Sequence, residues 1–349
     1  MIDLLSLTYE ELDTFVKEEL KEKSYRTAQI FSALHSGCEI GDITTLSKAL
    51  RERIASVATA HIPKIEEKQT SSDGTIKYLF SLADGEQIES VLMRYKHGIT
   101  ICISSQVGCA MGCVFCVSCL GGKKRDLTAG EMLGQVIAAS KDTGERISNI
   151  VMMGIGEPLD NFDNVMRFLT LVGDERGLNI GQRHISLSTC GLCENIERLA
   201  DKKLGITLSL SLHAATDEKR SAIMPVNRKY GLERVMRACK YYFDKTHRRI
   251  SFEYTLINGK NDSVTDAAEL AELLNRNLRG NGDMPIHVNL IRLNEGRKGL
   301  TAPDMARVNA FAARLEKSGI RATVRRKLGA DINAACGNLR ASKKSRTDE

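Results

Sequence analysis

Apolar positions recur every three or four residues over roughly the first 60 residues, the spacing of one helical face. Leu12, Phe15, Val16 and Leu20 form one such stripe. It starts behind Thr8 and Glu11, whose hydroxyl and carboxylate can satisfy each other's backbone donors as a capping box. Ala28, Ile30, Phe31 and Leu34 form a second stripe from about Ser24, stopped by Gly37, and a third helix is expected from Leu46 to Val57. The period then switches to two. Ile76, Tyr78, Phe80 and Leu82 alternate with Lys77, Leu79 and Ser81; Asp84 and Gly85 mark a hairpin turn, and Ile88 to Met93 is the expected return strand. Beyond Ile99 the pattern is strand, loop, helix, repeated. Strands are expected at Ile99–Ile103, Ile147–Met153, His184–Thr189, Ile206–Leu212, Ile250–Leu256, Ile286–Ile291 and Arg321–Arg325. Thr128 and Glu131 fit another capping box, at the start of the first intervening helix.

Alternating βα units imply a parallel sheet, and six or seven in series imply a full or partial barrel. The expected architecture is therefore α/β, a partial (β/α)6 TIM-like barrel over residues 99–340. It carries a small helical domain at 1–60, a β-hairpin extension at 61–98 and a basic polar tail at 341–349. Sites in such barrels lie at the C-terminal strand ends. The loop after the first barrel strand and the residues Gly154, Gly156, Glu157 and Pro158 after the second fall there, as do Ser188, Ser211 and Asn294.

Composition narrows the class. The 349 residues are 42% hydrophobic, enough for a sizeable core, yet no apolar run approaches the ~20 residues needed to span a bilayer. No basic segment precedes an apolar stretch at the N-terminus, so a cytoplasmic, non-membrane protein is expected. Ten cysteines in such a chain suggest metal or thiol chemistry more than a disulfide framework. Net charge is +6, with basic residues bunched at Lys123–Arg125, Arg248–Arg249, Arg325–Lys327 and in the tail. Bunched cations can neutralise phosphates, although any one bunch alone is more simply a solvated face. Trp is absent and aromatics make up only 5%, which argues against a broad base-stacking platform.

The candidate chemistry centres on Cys109, Cys113 and Cys116, at C-x3-C-x2-C spacing with Phe115 before the last thiol. Three thiolates leave one iron of a [4Fe–4S] cluster open for a cofactor or substrate, whereas four would close it. A zinc knuckle is the bland alternative. Zinc motifs usually pair two such knuckles at a distance, and the other close pair here is Cys190 and Cys193. Cys119 also lies at C-x2-C spacing from Cys116, so a fourth ligand within the loop is conceivable, and unliganded structural thiols complete the alternatives.

The three-cysteine motif resembles that of radical S-adenosylmethionine (SAM) enzymes. With Cys102 to Cys109, Gly154 to Asn161, Ser188 and Thr189, Leu210 to His213, and Gly329 to Gly337, the chain resembles the RlmN/Cfr family of radical-SAM RNA adenine methyltransferases along nearly its whole length. The resemblance implies a [4Fe–4S] cluster on Cys109, Cys113 and Cys116, with SAM on the open iron. Gly156, Glu157, Ser188, Ser211, Leu212, His213 and Asn294 would form the SAM site. It implies that Cys336 carries the methyl group, that Cys102 resolves it through a transient disulfide, and that Glu89 accepts the substrate proton. The implied substrates are adenine C2 in the peptidyl-transferase region of 23S rRNA and in tRNA. A flavodoxin- or ferredoxin-type electron donor and a monomeric protein are expected.

The chemistry agrees that extra thiols are needed. Adenine C2 lies between two ring nitrogens, is electron-poor and cannot attack a methylsulfonium, whereas a thiolate can accept the methyl and a radical can then add to the ring. Cys38, Cys190, Cys193 and Cys239 read as structural and Cys119 as incidental. Arg292, in place of a proline usual among the C2 enzymes, matches the Cfr branch that methylates C8, so C8 is the runner-up. A zinc-stapled RNA-binding protein and a glycyl-radical activase are rivals of other classes; the second leaves Cys102 and Cys336 idle.

Overall fold

The protein is described here from a computed structural model, which covers residues 1–279, 284–294 and 299–332. Cys336, the segment 295–298 and the basic tail lie outside the described residues.

Three helices open the chain: α1 (Tyr9–Glu18), α2 (Tyr25–His35) and α3 (Lys48–Val57). The capping box expected at Thr8 and Glu11 forms in both directions. Leu12, Phe15 and Val16 are buried on α1, and Tyr9 packs edge-on against Phe31 of α2 at 5.4 Å between ring centroids. The module is tied to the barrel by polar contacts. Gly130 N–H donates to Ser6 Oγ at 2.9 Å, Arg167 donates to Ser6 O at 3.1 Å and pairs with Glu11, and Lys141 donates to Gly37 O at 2.9 Å.

One ten-stranded sheet organises the rest. Its strands are β1 (Lys64–Thr70), β2 (Ile76–Ser81), β3 (Gln87–Tyr95), β4 (Gly98–Cys102), β5 (Ile147–Met152), β6 (Ile185–Thr189), β7 (Thr207–Ser211), β8 (Ile250–Leu256), β9 (Ile286–Arg292) and β10 (Arg321–Val324). Neighbours in the sheet are neighbours in sequence throughout. β1 to β4 form an antiparallel meander, and β4 to β10 run parallel. The six crossovers pass through α4 (Ala129–Thr143), α5 (Phe162–Gly173), α6 (Cys193–Asp201), α7 and α8 (Asp217–Ile223, Leu232–Thr246), α9 (Val264–Leu278) and α10 (Met305–Lys317). Among the described residues the edge strands β1 and β10 do not pair, so the barrel is open, as the strand–helix rhythm predicts.

Two features of the sheet differ from expectation. β1 has no apolar alternation; it is an exposed polar edge strand held by its ladder to β2 and by the Lys68–Asp142 ion pair at 2.6 Å. Both faces of β2 are buried, not one. Tyr78 reaches Asp142 of α4 at 2.7 Å, while Lys77 and Leu79 on the opposite face are 1% and 0% exposed.

Along the barrel strands the outward face is aliphatic and the lumen face is polar. Leu208 and Leu210 of β7 are fully buried against the helices. Between them Ser209 and Ser211 meet Ser186 and Ser188 of β6, hydroxyl to hydroxyl, at 3.0 and 3.3 Å. Glu253 of β8 accepts from Ser251 at 2.9 Å and from Asn289 of β9 at 2.7 Å. An ordinary closed barrel fills this space with branched aliphatics. Here it is kept polar and hollow.

Candidate active site

The cysteine loop leaves the C-terminal end of β4. A short antiparallel ribbon, Gln106–Gly108 with Lys123–Asp126, closes its base. Gly108 has φ +75, and a Cβ there would lie 1.9 Å from Gly122 O, so the closure demands glycine. Cys109 N–H donates to Gly122 O at 3.1 Å, and Val114 N–H to Ile223 O at 3.0 Å, which fixes the loop to α7. Cys119 lies beside Cys109, Cys113 and Cys116 and lines the same cavity. The neighbouring Cys119 thiol and burial push the three thiol pKa values up. Cys119, expected to be incidental, therefore sits inside the thiol group.

The three motif cysteines line a cavity of about 260 Å³ whose other walls are the strand ends. Gly156 has φ +108, and a Cβ there would come within 2.6 Å of Gln106 Cβ. That close approach lets Gln106 Oε1 accept from Glu157 N–H at 2.9 Å. Glu157 is 4% exposed and accepts from Leu159 N–H at 3.1 Å and Cys190 N–H at 2.7 Å, while burial pushes its pKa up. Ser188, Ser211 and Asn294 complete the polar wall. His213 also lines the cavity, with φ +59, an uncommon left-handed conformation for a side-chain-bearing residue. Its Nδ1 accepts from Thr255 N–H at 2.9 Å, which assigns the proton of the neutral ring to Nε2. Burial, aided by Arg220, pushes its pKa down to about 3. The edge-on ring of Phe115, 4.9 Å away, packs the cysteine loop against it.

Leu212 departs from the expected SAM site. Its side chain is fully buried in the core; its backbone N–H donates to Glu253 O at 3.0 Å. Cys102 and Glu89 fall on the lumen face. Cys102 packs with Val91, Met93, Val151 and Met153, opposite Val91 in the β3–β4 ladder. It lines a second cavity of about 520 Å³, shared with Arg292 and Asn294. Met153, Arg325 and Asn294 line both cavities, which makes them adjoining chambers. Glu89, on the same face of β3 two residues before Val91, is 3% exposed. Cys190, read as structural, is a buried wall residue of the first cavity.

In chemical kind the donor set suits an iron–sulfur cluster with a bound SAM, although among the described residues no three such side chains are gathered into a metal-holding group. Three soft thiols on one loop open into a chamber, and facing them are the hydroxyl, amide and carboxylate groups needed to hold an amino-acid head and a ribose.

Comparison with known proteins agrees with this geometry. Residues 103–271 match the Radical SAM superfamily, and residues 2–60 match the ribosomal RNA large subunit methyltransferase N-terminal domain. A probable dual-specificity RNA methyltransferase RlmN of Alkaliphilus oremlandii is 51% identical, covering 97% of each chain. One from Clostridium botulinum is 49% identical over 98% of this chain and 97% of its own. The crystal structure of a radical SAM methyltransferase from Sphaerobacter thermophilus superposes with a TM-score of 0.91 at 41% identity, covering 97% of this chain and 99% of that one. The chain belongs to the RlmN family of radical-SAM RNA methyltransferases. Membership implies a [4Fe–4S] cluster and SAM.

Two residues at this RlmN-family site, Arg220 and Glu253, escape a reading of motifs. Arg220 of α7, 0% exposed, donates to the carbonyls of Cys190 at 2.6 Å, Ser211 at 3.2 Å and Leu212 at 3.1 Å. Glu253 is buried in the lumen and pushed toward its neutral form by desolvation. Arg325 faces both chambers. In sequence, Arg220 reads as a charge on a helix and Glu253 as a polar break in an apolar strand. Lys123, Lys124 and Arg125, a bunch that taken alone reads as a solvated face, are paired with Asp126 and Asp160, with Glu86, and with Asp84 and Glu131. Among the described residues no helix is long and apolar enough to cross a membrane.

Proposed function

We propose that the chain methylates C2 of adenine in 23S rRNA and in tRNA, using a [4Fe–4S] cluster held by Cys109, Cys113 and Cys116 and two molecules of SAM. The observation that carries the reading is the pair of adjoining chambers: motif thiols and strand-end polar groups line the first, and Cys102 lines the second. When bound, the cluster and SAM supply a 5′-deoxyadenosyl radical. The protein's own groups do the rest. Glu157, Ser188, Ser211 and Asn294 hold and orient the cofactor, with neutral His213 as a hydrogen-bond donor. Cys336 accepts the methyl group as a thiolate and carries it to the ring. Glu89 takes the C2 proton. Cys102 attacks the Cys336 sulfur, frees the product and leaves a disulfide that external reductant reopens.

Relatives named as dual-specificity RNA methyltransferases at about half identity over nearly the full chain favour C2 over the C8 chemistry that Arg292 suggests. An acidic flavodoxin- or ferredoxin-type protein delivers the electron to a monomeric cytoplasmic enzyme. The test is mass spectrometry of nucleosides from 23S rRNA and tRNA treated with the reconstituted enzyme. The expected product is 2-methyladenosine in both; dominant 8-methyladenosine would move the chain to the other branch, and no methylated adenosine would refute the reading.

A further inference from the structure

Three cations that line the Cys102 chamber have no part in the chemistry above. The chamber is framed by C-terminal strand ends: Cys102 closes β4, Met153 follows β5, Arg292 closes β9 and Arg325 follows β10. One wall is apolar, where Val91, Met93, Met153 and Leu328 pack with Cys102. Arg292, Arg326 and Lys327 supply the charge. All three are exposed, and among the described residues none has an acidic partner within ion-pair distance. No acid lines the chamber among the described residues. The bunch at Lys123–Arg125, by contrast, is fully paired.

Two of these cations ride on a strap fixed at both ends. Beyond β10 the chain crosses to the turn between β1 and β2, from one edge of the sheet to the other. Arg325 N–H donates to Leu290 O at 2.8 Å where the strap begins. Gly329 N–H donates to Asp73 Oδ2 at 2.9 Å where it ends, and Ser72 N–H donates to Asp331 Oδ2 at 2.9 Å just beyond. Leu328 anchors it to the apolar wall. Arg326 and Lys327 are thus held beside the chamber, and a cation on a fixed segment gives up less freedom on meeting a phosphate than one on a loose tail. Arg292 faces them from β9, with its guanidinium donating to Pro303 O at 3.1 Å. Chemistry on a base requires its extrusion into a pocket, while the phosphates of the strand stay in water. The chamber has that division, an apolar wall at Cys102 and exposed cations around it.

We propose that Arg292, Arg326 and Lys327 clamp the RNA backbone phosphates around the target adenosine, with the base seated against the apolar wall at Cys102. The inference rests on the RNA-substrate reading above. Phosphate contacts fix the position of a strand without reading its sequence, which suits an enzyme acting on two RNAs. The clamp also gives Arg292 a task separate from the choice between C2 and C8, because its guanidinium meets a phosphate and not the ring.

The test is binding of a tRNA anticodon stem-loop to the full-length, cluster-loaded protein by fluorescence anisotropy over a salt series. Each phosphate contact on a single strand contributes ~0.7 to the slope of log affinity against log salt. The Arg292→Ala/Arg326→Ala/Lys327→Ala variant should therefore bind with a slope shallower by about 2.1 and melt as the wild type does. Arg326→Lys with Lys327→Arg, which keeps both charges, should keep the slope, as should Lys124→Ala, which removes a cation already paired with Glu86. A second stem-loop carries three uncharged methylphosphonate linkages around the target adenosine. The wild type should show the same loss of slope on that RNA, and the triple variant should show no second loss. A triple variant that keeps the wild-type slope overturns the inference. So does one whose deficit persists in full on the neutralised RNA, because its cations would then meet phosphates elsewhere. Should the triple variant melt lower, the wild type on the two RNAs decides alone, and equal slopes overturn the clamp. Arg292→Ala should leave the methylated ring position as in the wild type; a changed position would put Arg292 in ring selection and remove it from the clamp. Failure of the wild type to bind the unmodified stem-loop would instead strike the functional reading.

Discussion

Removing the Arg220 guanidinium should both destabilise the barrel and loosen its cofactor pocket. The group is fully buried and donates to Cys190 O, Ser211 O, Leu212 O and Asn227 Oδ1 at 2.6 to 3.2 Å. Leu212 O keeps a second donor, Ala214 N–H at 2.8 Å. The Met side chain of Arg220→Met retains much of the packing volume and leaves three buried acceptors short of a donor, at about 1–3 kcal/mol each. Relief from burying a charge, which already pushes the Arg220 pKa down, offsets part of this. The net cost is about 3 kcal/mol, or a fall in melting temperature of roughly 4 °C. The carbonyls released belong to the ends of β6 and β7, where Ser188 and Ser211 stand, and Leu212 precedes His213. SAM affinity should therefore fall tenfold or more. Arg220→Lys restores a charge and a donor but not the planar fork, so it should recover stability more than SAM affinity. Equilibrium unfolding and SAM titration of the loaded protein check both. If Arg220→Met unfolds within about 0.5 kcal/mol of the wild type and binds SAM within twofold, the guanidinium does not organise the strand ends.

Further outcomes follow from the same geometry. Cys109→Ala, Cys113→Ala and Cys116→Ala should each abolish the [4Fe–4S] absorbance, and Cys119→Ala should keep it, because a fourth thiolate would close the iron that SAM needs; loss of the cluster in Cys119→Ala would make that thiol a ligand. Cys336→Ala should be inactive without trapping RNA, whereas Cys102→Ala should accumulate a covalent RNA–protein adduct, seen as a slow band on denaturing gels that nuclease collapses. His35 stacks on Phe31 at 4.0 Å, its Nδ1 has no hydrogen-bond partner, and burial pushes its pKa down to about 4, against a weaker upward pull from Asp174. The unfolded chain then takes up the proton first as pH falls from neutrality, so the His35 contribution destabilises the fold by about 2 kcal/mol between pH 7 and pH 5. Denaturant unfolding of His35→Phe against the wild type should show that dependence flattened; equal slopes would refute it.

The fold was legible because its signals were local and agreed with one another. The barrel strands are runs of four to seven residues that carry buried aliphatic positions and are flanked by helical stripes, and hydrogen-bonded caps such as Thr128–Glu131 mark where helices begin. β1 was hidden because an edge strand exposed to water carries no burial pattern; its partner β2 supplies the ladder that holds it. The two-sided burial of β2 was hidden for a related reason. Lys77 alternates like a surface residue, and only the tertiary fold covers it. At the site, the cysteine spacing and strand-end residues announced themselves because their chemistry depends on neighbours in sequence. Arg220 and Glu253 act through carbonyls, hydroxyls and amides that lie up to 36 residues away along the chain, and no motif spans such contacts. The same limit hid the partners of Lys123–Arg125. Three adjacent cations look free in a sequence, yet their acids come from the β2–β3 turn, the start of α4 and the loop after β5.

The polar lumen links stability to function. Serines, Glu253 and Asn289 occupy positions that an ordinary barrel gives to branched aliphatics, and their mutual hydrogen bonds only recover what desolvation costs them. Cohesion must come from elsewhere, and the outer layer supplies it: Leu208, Leu210, Val235, Met236 and Tyr242 are all at or below 1% exposure between the sheet and its helices. A hollow interior then costs little. The parallel strands give it two chemically distinct ends. One carries the cysteine loop and strand-end polar groups. The other carries arginines that, among the described residues, have no acidic partner. Between those ends Cys102 lines a cavity that an aliphatic filling would close.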